Sequence, residues 1–120
     1  MSHHSVCAKS YAFDEPVSVL VNMGWDRALQ GYYMYIESDC IKHTDDEGRL
    51  YDNLADVGLT PDLGYFLRKH IELKIIVPLG IVDGVIRDRV NDVVNQSKDW
   101  KTVDVPDGFS GYEQYYKDYL

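Results

Sequence analysis

The chain has 120 residues, 45% hydrophobic and 27% charged, which suits one folded domain over 1–120 and excludes an intrinsically disordered chain. Twenty acidic residues against 12 basic ones give a formal charge of −8, so a phosphate backbone is repelled and direct nucleic-acid binding is not expected. No apolar run reaches the ~18 residues of a membrane span, and Met1-Ser2-His3-His4 lacks the positive-then-apolar layout of a signal peptide, so the expected setting is cytoplasmic, without membrane contact, and with Cys7 and Cys40 as free thiols.

Residues 1–15 are expected to form a flexible N-terminus, with His3 and His4 frayed rather than bound to a metal. Val17, Val19, Val21 and Met23 then alternate with Ser18, Leu20 and Asn22 just after Pro16, the period of a strand. Gly24–Gln30 connects it to a second strand over Gly31–Ser38. Asp45-Asp46-Glu47-Gly48 supplies turn chemistry, with Gly48 free to take positive φ, before a short third strand around Arg49-Leu50-Tyr51-Asp52. The first half reads as an antiparallel meander.

The second half changes period. Thr60 is expected to cap a helix, with Pro61 in its first turn and Asp62 at its positive end. Leu63, Phe66, Leu67, His70 and Ile71 form its apolar stripe, Ile75-Ile76-Val77 close the segment, and Pro78 breaks it. Val82, Val85, Ile86, Val90, Val93 and Val94 make the stripe of a second helix, with Asp83, Arg87, Asp88, Asn91, Asp92 and Asn95 opposite. Trp100 to Val105 alternates as a final strand, and Pro106-Asp107-Gly108 stops it. Over 109–120, Tyr112, Tyr115, Tyr116 and Tyr119 recur at helical spacing, which predicts a short aromatic C-terminal helix. The fold class expected is α+β: an antiparallel meander packed on two α-helices, with a final strand and that terminal helix.

Catalytic motifs are missing. The nine glycines form neither G-x-G-x-x-G nor a lysine-ended P-loop, and H-E-x-x-H and G-x-S-x-G are absent. Cys40, His43, Asp45 and Asp46 form the best metal-like cluster, but no second Cys or His pair completes a tetrahedral set. His70, on an apolar stripe, is the one candidate for a tuned acid or base. No cofactor, metal or catalytic residue is therefore assigned, and a small metal-assisted or acid/base enzyme built on Cys40, His43 and Asp46, or on His70, stands as the alternative.

The tyrosines point elsewhere. Ten occur in the chain, and a strand carrying Tyr33 and Tyr35 on one face and Tyr32 and Met34 on the other has bulk on both sides. Aromatic and arginine side chains suit contact surfaces. The residues expected to meet a partner are Trp25, Asp26, Arg27, Tyr32, Tyr33, Tyr35, Asp45, Asp46, Glu47, Asp88, Asp92, Tyr112, Tyr115, Tyr116 and Tyr119. The partner expected is another protein with a basic surface, or a second copy in a structural homodimer.

Gly24-Trp25-Asp26-Arg27-Ala28-Leu29-Gln30-Gly31-Tyr32-Tyr33 resembles a G-W-D-[KR]-x-L-Q-x-aromatic-aromatic signature of small bacterial and mobile-element proteins. Tyr51-Asp52-Asn53-Leu54 and the stretch from Pro78 to Asp88 fit the same outline, and Ala28 stands where that signature has proline. The resemblance implies no activity and transfers no catalytic residue. In size, acidity and absence of motifs the chain is also similar to phage-encoded inhibitors such as anti-CRISPR proteins, which implies a non-enzymatic inhibitor that occupies the nucleic-acid path of a basic partner.

Overall fold

Alternating side chains build a five-stranded mixed sheet. In the computed structural model, which describes residues 1–40, 42–93 and 95–120, β1 (Ser2–Ser10), β2 (Val17–Asp26), β3 (Gly31–Ser38) and β4 (Arg49–Asp52) pair in succession as an antiparallel meander. The chain then crosses through α1 (Leu63–Glu72) and α2 (Leu79–Val90) and returns as β5 (Gln96–Trp100), parallel to β1 on its other edge. The strand order is therefore β4-β3-β2-β1-β5, and α3 (Tyr112–Tyr116) ends the fold with one 3₁₀ turn, Lys117–Tyr119. This is the expected α+β class.

The first strand overturns the expectation of a flexible N-terminus over 1–15. Ser2, His4, Val6, Ala8 and Ser10 face inward and are buried, and β1 lies inside the sheet, between β2 and β5. Its inward positions carry Ser, His and Ala as well as Val, so the period is real but weakly apolar. Burial of the two polar ends is made tolerable by hydrogen bonding: the Ser2 hydroxyl accepts from Trp25 N at 3.0 Å, and Ser10 donates to the Leu73 carbonyl.

Both helices fall where expected, with shifted edges. Asp62, not Thr60, is the N-cap residue of α1, because the Thr60 backbone is used in a two-way bridge to Tyr32 (2.8 and 3.2 Å). The helix ends at Glu72, and Ile75, Ile76 and Val77 continue as a buried extended segment. On α2 the buried face is Ile81, Val82, Gly84, Val85 and Asp88, rotated from the valine stripe so that Val90 is exposed; Val94 lies outside the described residues. Gly80 and Gly84 lie against Trp100 on this helix. Spaced i, i+4, they leave a trough in which the Trp100 ring lies so close that a Cβ at Gly80 would stand 2.7 Å from it.

That seat for Trp100 also moves the last strand. β5 ends at Trp100 rather than beginning there, and 101–106 carries no strand. The alternation over 100–105 instead places Val103 and Val105 against the core while Thr102 and Asp104 face solvent.

The inward faces of β1, β2 and β3 meet Leu63, Phe66, Leu67, Ile81, Val82 and Val85 in one apolar cluster, closed at its base by Ile75, Ile76, Val77 and Tyr116. The outward-facing Cys7, Leu20, Asn22, Tyr33 and Tyr35 stand outside it. Tyr33 crosses over Gly24 so that its hydroxyl donates to the Ser2 carbonyl at 2.6 Å. A methyl group at position 24 would collide with both that carbonyl and the tyrosine ring. Gly24→Ala is therefore expected to cost about 1–3 kcal/mol of stability, read as a lowered urea midpoint; an unchanged midpoint would show that the ring moves aside freely.

Candidate functional site

Topology gathers the acidic loops at one end of the sheet. The β1–β2 loop, the β3–β4 loop and the chain leaving β5 all emerge at the end where β1 finishes, because β2 and β4 run against β1 while β3 and β5 follow its direction or its register. Phe13 stacks on His43 with ring centroids 3.9 Å apart, which ties the first two loops together. Asp14, Glu15, Asp39, Asp45, Asp46, Glu47 and Asp104 are exposed there. Asp45 shapes its own turn by accepting from Glu47 N and Arg49 N, each at 2.9 Å, and Gly48 completes that turn at φ 77°. Glu47 reaches Arg49 at 3.3 Å.

From this rim a groove of about 930 Å³ crosses the outward face of the sheet, lined by Cys7, Lys9, Leu20, Glu37, Asp39 and Asp104 among others. Beside it the outward residues form a polar and aromatic ladder. His3 Nε2 lies 2.8 Å from Asn22 Oδ1, and the Asn22 amide donates to Glu37 Oε1 at 3.1 Å. Tyr35 stacks beside Tyr33 and carries Arg49 over its ring at 4.5 Å, with Arg49 held to Asp52 at 2.6 Å. Burial, and then the Glu37 carboxylate, push the Tyr35 hydroxyl above its ordinary pKa. Of these, His3, Tyr35, Glu37 and Arg49 are half-buried, and Asn22 is enclosed at 2% exposure.

The aromatic residues expected to meet a partner are mostly used up inside the molecule, and this corrects the sequence reading. Trp25, Tyr32, Tyr33, Tyr112 and Tyr116 are buried, Trp25 at 2% exposure and Tyr116 at 0%. Trp25 and Tyr32 meet edge to face at 5.3 Å under the Arg89 guanidinium. The Tyr116 hydroxyl donates to the Ile75 carbonyl at 2.8 Å and accepts from Val77 N at 3.0 Å, and burial pushes its pKa up. Tyr35, Tyr115 and Tyr119 are half-buried; Tyr115 donates to the Val77 carbonyl at 2.8 Å and Tyr119 to Asp83 at 2.7 Å. The terminal helix thus folds back on the loop between α1 and α2. Aromatic bulk was a signal of packing here, since the rings of Trp25, Tyr32, Tyr33, Tyr112 and Tyr116 are buried and the hydroxyls of Tyr33, Tyr115, Tyr116 and Tyr119 find acceptors in the same chain.

The remaining expected contacts divide. Asp88 is buried at 4% exposure, so it is withdrawn from any partner surface. Asp26 accepts from Leu29 N at 3.1 Å to close the β2–β3 turn, and Arg27 pairs with Asp92 at 3.0 Å with both half exposed. The G-W-D-R segment therefore builds a hairpin. Asp45, Asp46 and Glu47 remain exposed at the acidic rim.

Two of the four histidines, His4 and His70, are buried. His4 Nδ1 accepts from the Trp100 indole N–H at 2.9 Å, which places the ring proton on Nε2, 2.6 Å from Asp88 Oδ2. His43 is stacked on Phe13. His70 is fully buried beside Tyr116, its Nε2 3.1 Å from the Met34 sulfur and its Nδ1 without a partner among the described residues. Among the described residues no group of three or more His, Cys, Asp or Glu side chains is placed to hold a metal, so Cys40, His43 and Asp46 are not brought together as ligands. No described helix is long and apolar enough to cross a membrane.

Sequence reasoning missed His3, Asn22 and Glu37 on the outward ladder and Cys7, Asp39 and Asp104 in the groove. A signal existed: Ser5, Cys7 and Lys9 alternate with His4, Val6 and Ala8, a period-2 pattern diluted by polar side chains. No protein-family model, no curated protein and no solved structure matches this chain.

Burial holds the His70 pKa down from 6.5 to about 3. The unfolded chain then binds a proton that the folded chain refuses, so this group leaves stability intact above about pH 6.5 and erodes it as pH falls toward 3. The expected slope is about 1.4 kcal/mol per pH unit at its steepest. Urea melts of His70→Phe protein should lose that part of the pH dependence between pH 6 and pH 4; a slope equal to that of the unaltered protein would assign the effect to other groups.

Proposed function

We propose that this protein is a non-enzymatic, acidic interaction module that binds another protein through a basic surface. The observation that carries the reading is the meeting of two features at one place: a sheet face outside the apolar core, and loops that set Asp14, Glu15, Asp39, Asp45, Asp46, Glu47 and Asp104 around its end. A chain of formal charge −8 steers toward cations over a distance set by the ionic strength. The half-buried His3, Glu37, Tyr35 and Arg49 of the outward ladder add oriented hydrogen-bonding groups, which give such an encounter specificity. Where the partner's basic surface carries nucleic acid, the carboxylates occupy the phosphate path and the module acts as an inhibitor.

The contact surface in this reading is the acidic rim, and the Trp25 hairpin is part of the scaffold. A partner recovered by the intact protein should therefore be released as salt rises from about 50 to 500 mM. It should also be lost from a protein carrying Asp39→Asn, Asp45→Asn, Asp46→Asn and Glu47→Gln, and retained by Arg27→Ala. Recovery indifferent to salt and to the four neutralisations would overturn the proposal.

A further inference from the structure

The sheet has an opening beside β1, and the acidic groove begins there. Parallel pairing of β5 with β1 ends at Val6 and Trp100, and the next partner on that edge is Ile75, which bridges Ser10. Between these two points no strand among the described residues lies against Cys7, Ala8 and Lys9 on that edge. The Thr102 hydroxyl donates to the Cys7 carbonyl at 2.8 Å, and 101–106 passes by without joining the sheet. A strand edge left in this state is a template for an extended segment.

Charge selects the segment. Glu37, Asp39, Glu47 and Asp104 line the groove against Lys9. Glu37 is engaged by Asn22 and Glu47 by Arg49, whereas Asp39 and Asp104 make no ion pair among the described residues. Unmatched carboxylates around one cleft repel one another, and a cation placed between them removes that repulsion and adds attraction. The volume of about 930 Å³ accommodates a short peptide stretch rather than a lone ion.

We propose that this groove takes an extended, lysine- or arginine-bearing segment of the partner protein, with its main chain along the open edge of β1 and its cationic side chains on Asp39 and Asp104. The proposal rests on the acidic-interaction reading and names its site. Cys7, exposed in the groove, reports occupancy because a bound segment covers its thiol.

The test uses the full chain with Cys40→Ala, so that Cys7 is its one thiol, and a fluorescein-labelled eight-residue peptide of alternating arginine and serine. Asp39→Asn with Asp104→Asn is expected to weaken peptide binding at least about fivefold, and Glu113→Gln with Asp118→Asn, an equal change of charge on exposed residues of the C-terminal segment, less than about twofold. Saturating peptide is expected to slow alkylation of Cys7. Equal weakening by both pairs, with Cys7 alkylated at an unchanged rate, overturns the groove and leaves the acidic reading standing. Failure of the peptide to bind, while the native partner still associates in a salt-sensitive way, does the same. Equal binding of an alternating aspartate and serine peptide overturns both.

Discussion

A buried contact between the first strand and the second long helix holds the two layers in place. His4 joins the Trp100 indole at one ring nitrogen and the Asp88 carboxyl at the other, and so ties β1, β5 and α2 through one imidazole. His4 and Asp88 are buried and Trp100 is half-buried, and the three are matched in hydrogen bonding. Removing one partner of such a buried pair typically costs about 3–5 kcal/mol, because the other is left desolvated and unpaired. The glycines of α2 belong to the same arrangement, since Gly84 lets the His4 and Trp100 rings approach the helix backbone.

Everything on the inner side of the sheet follows from that closure. With α2 seated on β1 and β2, α1 fills the remaining face, and the terminal tyrosines seal the segment 75–77 through hydroxyl bonds to its backbone. Little apolar or aromatic surface is left over for a partner on this side. The outward side differs in kind. Its face is polar and aromatic, its groove carries Glu37, Asp39 and Asp104, and its loops present Asp14, Glu15 and Asp46 to solvent. The proposed contact surface lies on that outward side.

Element existence was legible in the sequence wherever the period was strong. The valine alternation of 17–23 and the stripe from Leu63 to Ile71 became β2 and α1. Gly48 took the positive φ its turn requires. What escaped were positions at which polar residues occupy the core. His4 and Asp88 break the apolar pattern of β1 and α2, so β1 read as frayed and α2 was turned on its axis. Their pairing spans 84 residues, and no local period reports a contact at that separation. The tyrosines misled for a related reason. A tyrosine cluster reads alike whether its hydroxyls meet a partner or the backbone of the same chain, and here Tyr33 and Tyr116 use carbonyls at Ser2 and Ile75. The acidic rim was half visible: Asp45, Asp46 and Glu47 stand out as a run, whereas Asp39 stands apart from it at the end of β3 and Asp104 joins only through the parallel return of β5.

The central claim is that the His4–Asp88 contact couples the first strand to the second helix. A double-mutant cycle on His4→Leu and Asp88→Leu, measured by urea unfolding, tests it most directly. Each single substitution is expected to be strongly destabilising, and the double variant to lose less than their sum by at least about 2 kcal/mol. Losses that add to within about 0.5 kcal/mol would contradict it.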